Sequence, residues 1–348
     1  MNQKKQLSLA VLALAGAAAN AALTPESGYV SGSVLDSQGI SAYDIYDSGG
    51  AKAYGWNGSS TTLRQYDVTT GLQLNDLGAP PGGYASGAFV SFVRRSPDGN
   101  SVWVGFTVGG NSDDRIYEVT DLAGTPTWNE RATVTGNYDL EFFGSDAFVS
   151  ADPDAPSFGA NNSIYYLDAG DAYNPIEFAD VDGYSSALAF NDAGDLVYGT
   201  SGLTENELVS FASADIVAFL NNPAVWNPLS RGDATLLSDL PAGSSGLWAD
   251  AFGGIFVGVT AFLPDFSSEG SLYQWSGLSG IGENLELLAS TGSFLGSLDG
   301  LGELSNGGVL FASAGGPGIS TLEVPEPSTY AALAGAMALG CALWRRRR

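Results

Sequence analysis

Residues 96–106, SPDGNSVWVGF, set an aspartate and a glycine ahead of an apolar run, and residues 191–200, NDAGDLVYGT, do the same. Gly99 and Gly194 supply the positive φ that a tight hairpin turn demands, and the flanking residues alternate with the period of two expected of strands. Working outward, the same unit recurs as an alternating strand, a turn, a second strand, a polar loop and a third strand. Its turn residues are Gly50, Gly99, Ser145, Gly194, Gly254 and Gly308, spaced 49, 46, 49, 60 and 54 apart. Three strands plus a linking strand every 50 residues or so is the scale of a propeller blade. The sequence therefore predicts an all-β protein, a β-propeller of about six blades filling residues 28–324, with Tyr29–Leu35 (YVSGSVL) completing the last blade. A β-sandwich of jelly-roll type is the alternative, and it leaves the recurrence unexplained. Two copies carry insertions: Ala214–Leu229, which opens with a helical turn ahead of Pro223, and the loop around Pro264.

Composition narrows the chemistry. The 348 residues hold 38 acids, 13 Lys and Arg, no His and one Cys, for a formal charge of −25. Only seven of the basic residues lie between residues 22 and 329, and so acidic a surface repels a phosphate backbone, which excludes nucleic acid as a partner. The missing His and the single Cys341 exclude Cys/His zinc sites, Ser-His-Asp triads and intrachain disulfides. No Gly-rich stretch links a strand to a helix, so no phosphate-binding loop is read. Trp56, Trp103, Trp248 and Trp275 fall on expected strands, where aromatics are ordinary core residues.

The two ends speak of export. Lys4 and Lys5, the apolar stretch Leu7–Ala15 and the Ala19-Asn20-Ala21 site make residues 1–21 a signal peptide for signal peptidase, cut after Ala21 or Ala19. Residues 22–323 form the exported domain. Residues 324–348 read VPEPSTYAALAGAMALGCALWRRRR. Pro325 and Pro327 hold Glu326 extended. Tyr330–Trp344 is a run of 15 apolar or small residues, a helix of about 22 Å against a hydrocarbon core of about 30 Å. Trp344 suits the membrane interface, and Arg345, Arg346, Arg347 and Arg348 stop transfer and stay cytoplasmic.

This order of Pro-Glu-Pro, short transmembrane helix and arginine cluster resembles the PEP-CTERM sorting signal. The resemblance covers the tail alone. It implies processing by a membrane-embedded exosortase, a transient anchor in the inner membrane, and delivery to the cell envelope or to an extracellular polysaccharide or biofilm matrix.

For the exported domain, the composition points to a non-enzymatic module with a binding or structural role towards polysaccharide or surface proteins. The alternative is a secreted carbohydrate-active enzyme that uses a carboxylate pair, which needs neither His nor Cys. Two buried or cleft-lining carboxylates about 5–10 Å apart, flanked by aromatic rings, would favour the enzyme, and scattered, fully exposed acids the binding module. No organic cofactor is read. Calcium is the one metal considered: Asp113-Asp114, Asp152-Pro153-Asp154, Asp168 with Asp171, and Asp180-Val181-Asp182-Gly183 are acidic loops of hard oxygen ligands, with Asp152, Asp154, Asp180 and Asp182 the foremost candidates. None has the spacing of an EF-hand.

Overall fold

The computed structural model describes residues 23–323 except 28, 36–37, 84–87, 108–113, 154–161, 182, 185, 203–205, 250–253, 264–266, 277–284, 292–297, 304–308 and 315–318. Signal peptide, sorting motif and expected membrane segment thus lie outside the described residues, as do Asp113, Asp154, Asp182, Pro264 and Gly308. Among the described residues no helix is long and apolar enough to cross a membrane.

The strands assemble into six sheets of four or five strands. Each sheet has at least four antiparallel strands, with the first strand of the repeat at one edge. Those first strands are Ile40–Asp47, Phe89–Arg95, Asn137–Phe143, Leu188–Phe190, Gly243–Ala249 and Leu298–Glu303. Each touches the next, and Leu298–Glu303 touches Ile40–Asp47, so six inner strands close a ring. The chain is a β-propeller, and the two-sheet sandwich is excluded. Blades are numbered 1 to 6 below, in the order of these strands.

Closure comes from the N-terminal segment. Val30–Val34 pairs antiparallel with Ile319–Glu323, from Val30 opposite Glu323 to Val34 opposite Ile319, and forms the outer strand of blade 6. Leu23–Pro25 pairs with Leu285–Thr291 as a fifth strand on blade 5. The first strands of the chain therefore fasten the last two blades. Pro25, which has no N–H to donate, stands on an outer strand where none is required.

The second strand of a blade departs from the expected alternation. Val102–Thr107 is buried at every position, as is Leu196–Gly199. A blade is covered on both faces by its neighbours, so an interior strand becomes a continuous apolar run. The hairpins lie where the glycines put them, Gly99 at φ +73° and Gly194 at +79°. In blade 3 the left-handed residue is Gly144, at φ +68°, one position before Ser145.

The insertion in blade 4 forms a helix, Ser213–Asn221, a turn at Pro223–Val225 and the short strand Leu229–Ser230. Asp195, beside the blade 4 hairpin, accepts a hydrogen bond from Ser213 N at 2.8 Å and so caps the helix. The helix buries Ile216 and Phe219, and Leu229–Ser230 adds a parallel strand to blade 3. Trp226 donates its indole N–H to the Phe178 carbonyl at 3.1 Å, so the insertion clasps blade 3 to blade 4.

Candidate active site

Six residues before the turn residue, the inner strands of blades 2 and 4 place Val93 and Leu188, both fully buried. At the same position blades 1 and 3 place Asp44 and Asp139, exposed by only 9% and 4%. Arg94 of blade 2 reaches Asp139, and its charge also acts on Asp44. It donates from Nη2 to Asp139 Oδ1 at 2.7 Å and from Nε to the Leu140 carbonyl at 3.1 Å. Glu141 Oε2 stands 3.9 Å from Arg94 Nε. The inner edge of blades 1 to 3 thus gathers three carboxyl groups around one guanidinium.

Backbone donors fix two of the three. Asp44 Oδ2 accepts from Arg95 N at 2.6 Å, and Asp139 Oδ2 accepts from Leu188 N of blade 4 at 3.2 Å. Each of these aspartates also ties its blade to the next. Glu141 is held more loosely, by Phe142 N at 3.3 Å and by the distant Arg94 contact. Its side chain is 27% exposed, against 8% for Arg94 and 6% for Asp139. Of these three, only Glu141 presents much of its side chain to a ligand.

Three acids and one base cannot all carry charge cheaply in a buried place. Burial pushes Asp44 and Asp139 above the ordinary carboxylate range, against the opposing pull of Arg94. Burial also works against the charge on Arg94, but Asp139, Glu141 and Asp44 together outweigh it and hold the guanidinium protonated. Glu141 is pushed up to about 7, first by burial and then by the negative charges of Asp139 and Asp44, with Arg94 pulling the other way. A carboxyl that binds and releases a proton near neutrality is suited to general acid and base work.

Of the foremost calcium candidates, Asp152 and Asp180 alone lie among the described residues. Asp152 is buried and Asp180 is exposed, and no group of three or more Asp or Glu that could hold a metal occurs among the described residues. The central cluster does not fit a cation either, since Arg94 occupies the position between its carboxyls. Trp56 and Trp103 are core residues as expected, at 3% and 2% exposure, and Trp248 and Trp275 pack against core clusters.

Sequence reading passed over Asp44, Arg94, Asp139 and Glu141. The signal was present in the repeat alignment, where an acid occupies a register that neighbouring copies give to Val93 and Leu188.

No protein-family model matches the sequence, and no curated protein is similar to it. Solved structures of similar fold include the PQQ-bound form of an aldose sugar dehydrogenase from Streptomyces coelicolor, at TM-score 0.53 and 17% identity over 87% of this chain and 100% of that one. A gluconolactonase from Xanthomonas campestris is similar at TM-score 0.51 and 16% identity, over 89% of this chain and 98% of that one. A glucose dehydrogenase is similar at 0.54 and 14%, over 85% and 99%. At these identities the likeness is one of fold.

It nevertheless corrects the expectation of a non-enzymatic module. That expectation rested on the missing His and Cys, yet the fold is one that sugar dehydrogenases and a gluconolactonase use. Carboxyl groups are what this chain concentrates at its centre. The Streptomyces structure holds PQQ; here, five of the six described arginines are paired with acids of the chain itself.

Proposed function

We propose that the chain is a carbohydrate-active propeller that hydrolyses a C–O bond of a sugar by acid–base catalysis at Glu141. The observation that carries this reading is the convergence of Asp44, Asp139 and Glu141 on Arg94, with Glu141 poised near 7 and partly exposed. The protonated carboxyl gives its proton to the departing oxygen, and the resulting carboxylate takes one from the attacking water. Asp139 and Asp44 are positioning residues: their charge keeps the proton on Glu141, and Arg94 holds the group in place.

Sugar lactones and aryl glycosides are the substrates to screen, by release of acid or of the aryl alcohol. Glu141→Gln should lower kcat/KM by roughly 10²–10⁴-fold, while wild-type activity changes with a limb near pH 7. Full activity in Glu141→Gln, with the same pH limb, would sink the assignment.

Delivery belongs to the same proposal. The signal peptide at residues 1–21 takes the chain out, and the PEP-CTERM tail presents Glu326 to an exosortase, so that the mature protein works in the envelope or the polysaccharide matrix. Mass spectrometry of the exported protein tests this. Loss of residues 330–348 in the wild type and their retention in Glu326→Ala are expected, and a mature form that keeps the tail would refute it.

A further inference from the structure

Seven basic side chains lie in the exported domain, and five of them, Arg64, Arg94, Arg115, Arg131 and Arg231, are ion-paired. The remaining two, Lys52 and Arg95, form no direct ion pair among the described residues, although Lys52 stands opposite Asp67 in the strand register and its charge favours that carboxylate. The guanidinium of Arg95 lies 4.5 Å from the centre of the Tyr46 ring. Lys52 is opposite Tyr46 in the strand register, hence on the same face of blade 1. In a chain of charge −25, an arginine held on an aromatic ring with no acid paired to it calls for an explanation.

The surroundings hold the guanidinium in one position. Tyr46 stacks on Tyr54, with ring centres 5.0 Å apart and planes at 12°. Gln65 donates its amide to both phenol oxygens and fixes the pair. On its other side the guanidinium lies over Gly99, where a Cβ would come within 1.9 Å of Arg95 Nη2. Its Nε is buried with no hydrogen-bond partner. The nearby acids are engaged elsewhere: Asp44 receives Arg95 N, and Asp98 receives Ser96 and Asn100. Asp44 and Asp98 both feel the positive charge of Arg95, yet neither pairs with it.

We infer that Arg95 and Lys52 form an anion subsite for the carboxylate of an acidic sugar, a uronate or aldonate, the substrate class of the site at Glu141. A flat guanidinium held in one position matches the two oxygens of a carboxylate, and Lys52 adds a second positive charge on the Tyr46 face of blade 1. Tyr46 positions the guanidinium. Arg95 is the last residue of its inner strand and follows Arg94, and the two side chains take opposite faces of blade 2, Arg94 towards Glu141 of blade 3 and Arg95 towards Tyr46 of blade 1. The inference rests on the hydrolytic reading for its choice of a sugar, and on geometry for the anion.

Calorimetric titration of the full-length protein with sodium glucuronate, methyl glucoside and inorganic phosphate separates the cases. Glucuronate should bind more tightly than both other probes, and Arg95→Met should weaken it about tenfold or more, a loss of about 1.4 kcal/mol. Arg95→Lys, which keeps the charge but not the fork, should fall between. Arg115→Met, which removes an exposed arginine paired with Glu130, should bind glucuronate as the wild type does. Equal binding by Arg95→Met, binding of phosphate as tight as glucuronate, or no glucuronate binding would each overturn the subsite. Hydrolysis of neutral sugars that still depends on Glu141 would then leave the catalytic reading standing alone.

Discussion

The joint between blades 3 and 4 and the inner edge of blades 1 to 3 meet the same need, sealing one blade against the next, by opposite means. At the joint, Phe148, Phe178, Phe211 and Phe219 are all fully buried, with Phe178 5.4 Å from Phe148 and 5.2 Å from Phe219 in near-perpendicular contacts. Such a seal contains no charge and gains from every ring it hides. At the inner edge, Asp44 and Asp139 fill the position that Val93 and Leu188 fill in blades 2 and 4, with Arg94 and Glu141 beside them. Since Val93 and Leu188 serve there without difficulty, ring closure does not require the charges. Their presence is better explained by what Glu141 can do than by what the blades need to hold together.

The largest expected effect comes from breaking the charged seal one partner at a time. Asp139→Ala leaves Arg94 buried without its closest counter-charge and the Leu188 N–H without an acceptor, and should cost about 3–5 kcal/mol in urea denaturation. Phe219→Ala at the apolar joint should cost a similar 3–5 kcal/mol or so, through lost burial and a cavity. The distinction appears in the repair. The double change Arg94→Met with Asp139→Leu should recover much of the loss, because a buried ion pair gives little net stability over packed apolar groups. If the double variant is as unstable as Asp139→Ala, the charges are structural after all.

The second test follows the pH dependence of Glu141. Its ordinary value is 4.5, and the fold raises it to about 7. At pH well below 4.5 both folded and unfolded states hold the proton, and the site is neutral in its effect. Between 4.5 and 7 the unfolded chain releases the proton first, so stability falls as pH rises, and above 7 the loss is complete. Glu141→Gln removes this liability. It should match the wild type at pH 4 and exceed it at pH 8, by at most about 3 kcal/mol. A variant less stable than the wild type at pH 8 would show that the glutamate serves the fold.

A smaller effect probes the clasp. Trp226→Phe keeps an aromatic ring on Phe178, where the rings stack with planes at 8°. It removes the N–H that meets the Phe178 carbonyl. The expected cost is about 1 kcal/mol in thermal or chemical denaturation, well below that of Phe219→Ala.

The ring was legible in the sequence because turn chemistry is local. Gly99 and Gly194 mark their hairpins by a conformation other residues avoid, and even the span Tyr29–Leu35 contained the closing strand. Burial on both faces was not legible in the same way: VWVGF shows no alternation once a neighbouring blade covers each side. The site was least legible of all. Asp44, Arg94 and Glu141 are separated by 50 and 47 positions in the chain, and what raises the proton affinity of Glu141 is desolvation by blades that the sequence does not yet place. The acidic loops that looked like ligands were conspicuous as strings of letters, yet Asp152 and Asp180 meet no third acid among the described residues.

The smallest effect discriminates most finely, because it compares two glycines in equivalent turns. Gly144 has φ +68° and nothing within 4 Å of the place a Cβ would take, so Gly144→Ala adds only backbone strain, about 1 kcal/mol. Gly99 has nearly the same φ, +73°, but its Cβ would meet the guanidinium of Arg95. That guanidinium is the end of a flexible side chain, so it moves aside, and Gly99→Ala should cost only a few tenths of a kcal/mol more, the weakened contact with Tyr46. In denaturation the two variants should therefore be nearly alike. In glucuronate titration they should part, with Gly144→Ala binding as the wild type does and Gly99→Ala binding weakly, since its guanidinium no longer lies flat between ring and turn. Equal binding by both would mean that the position of Arg95 is a packing accident of the turn and not a prepared place for a carboxylate.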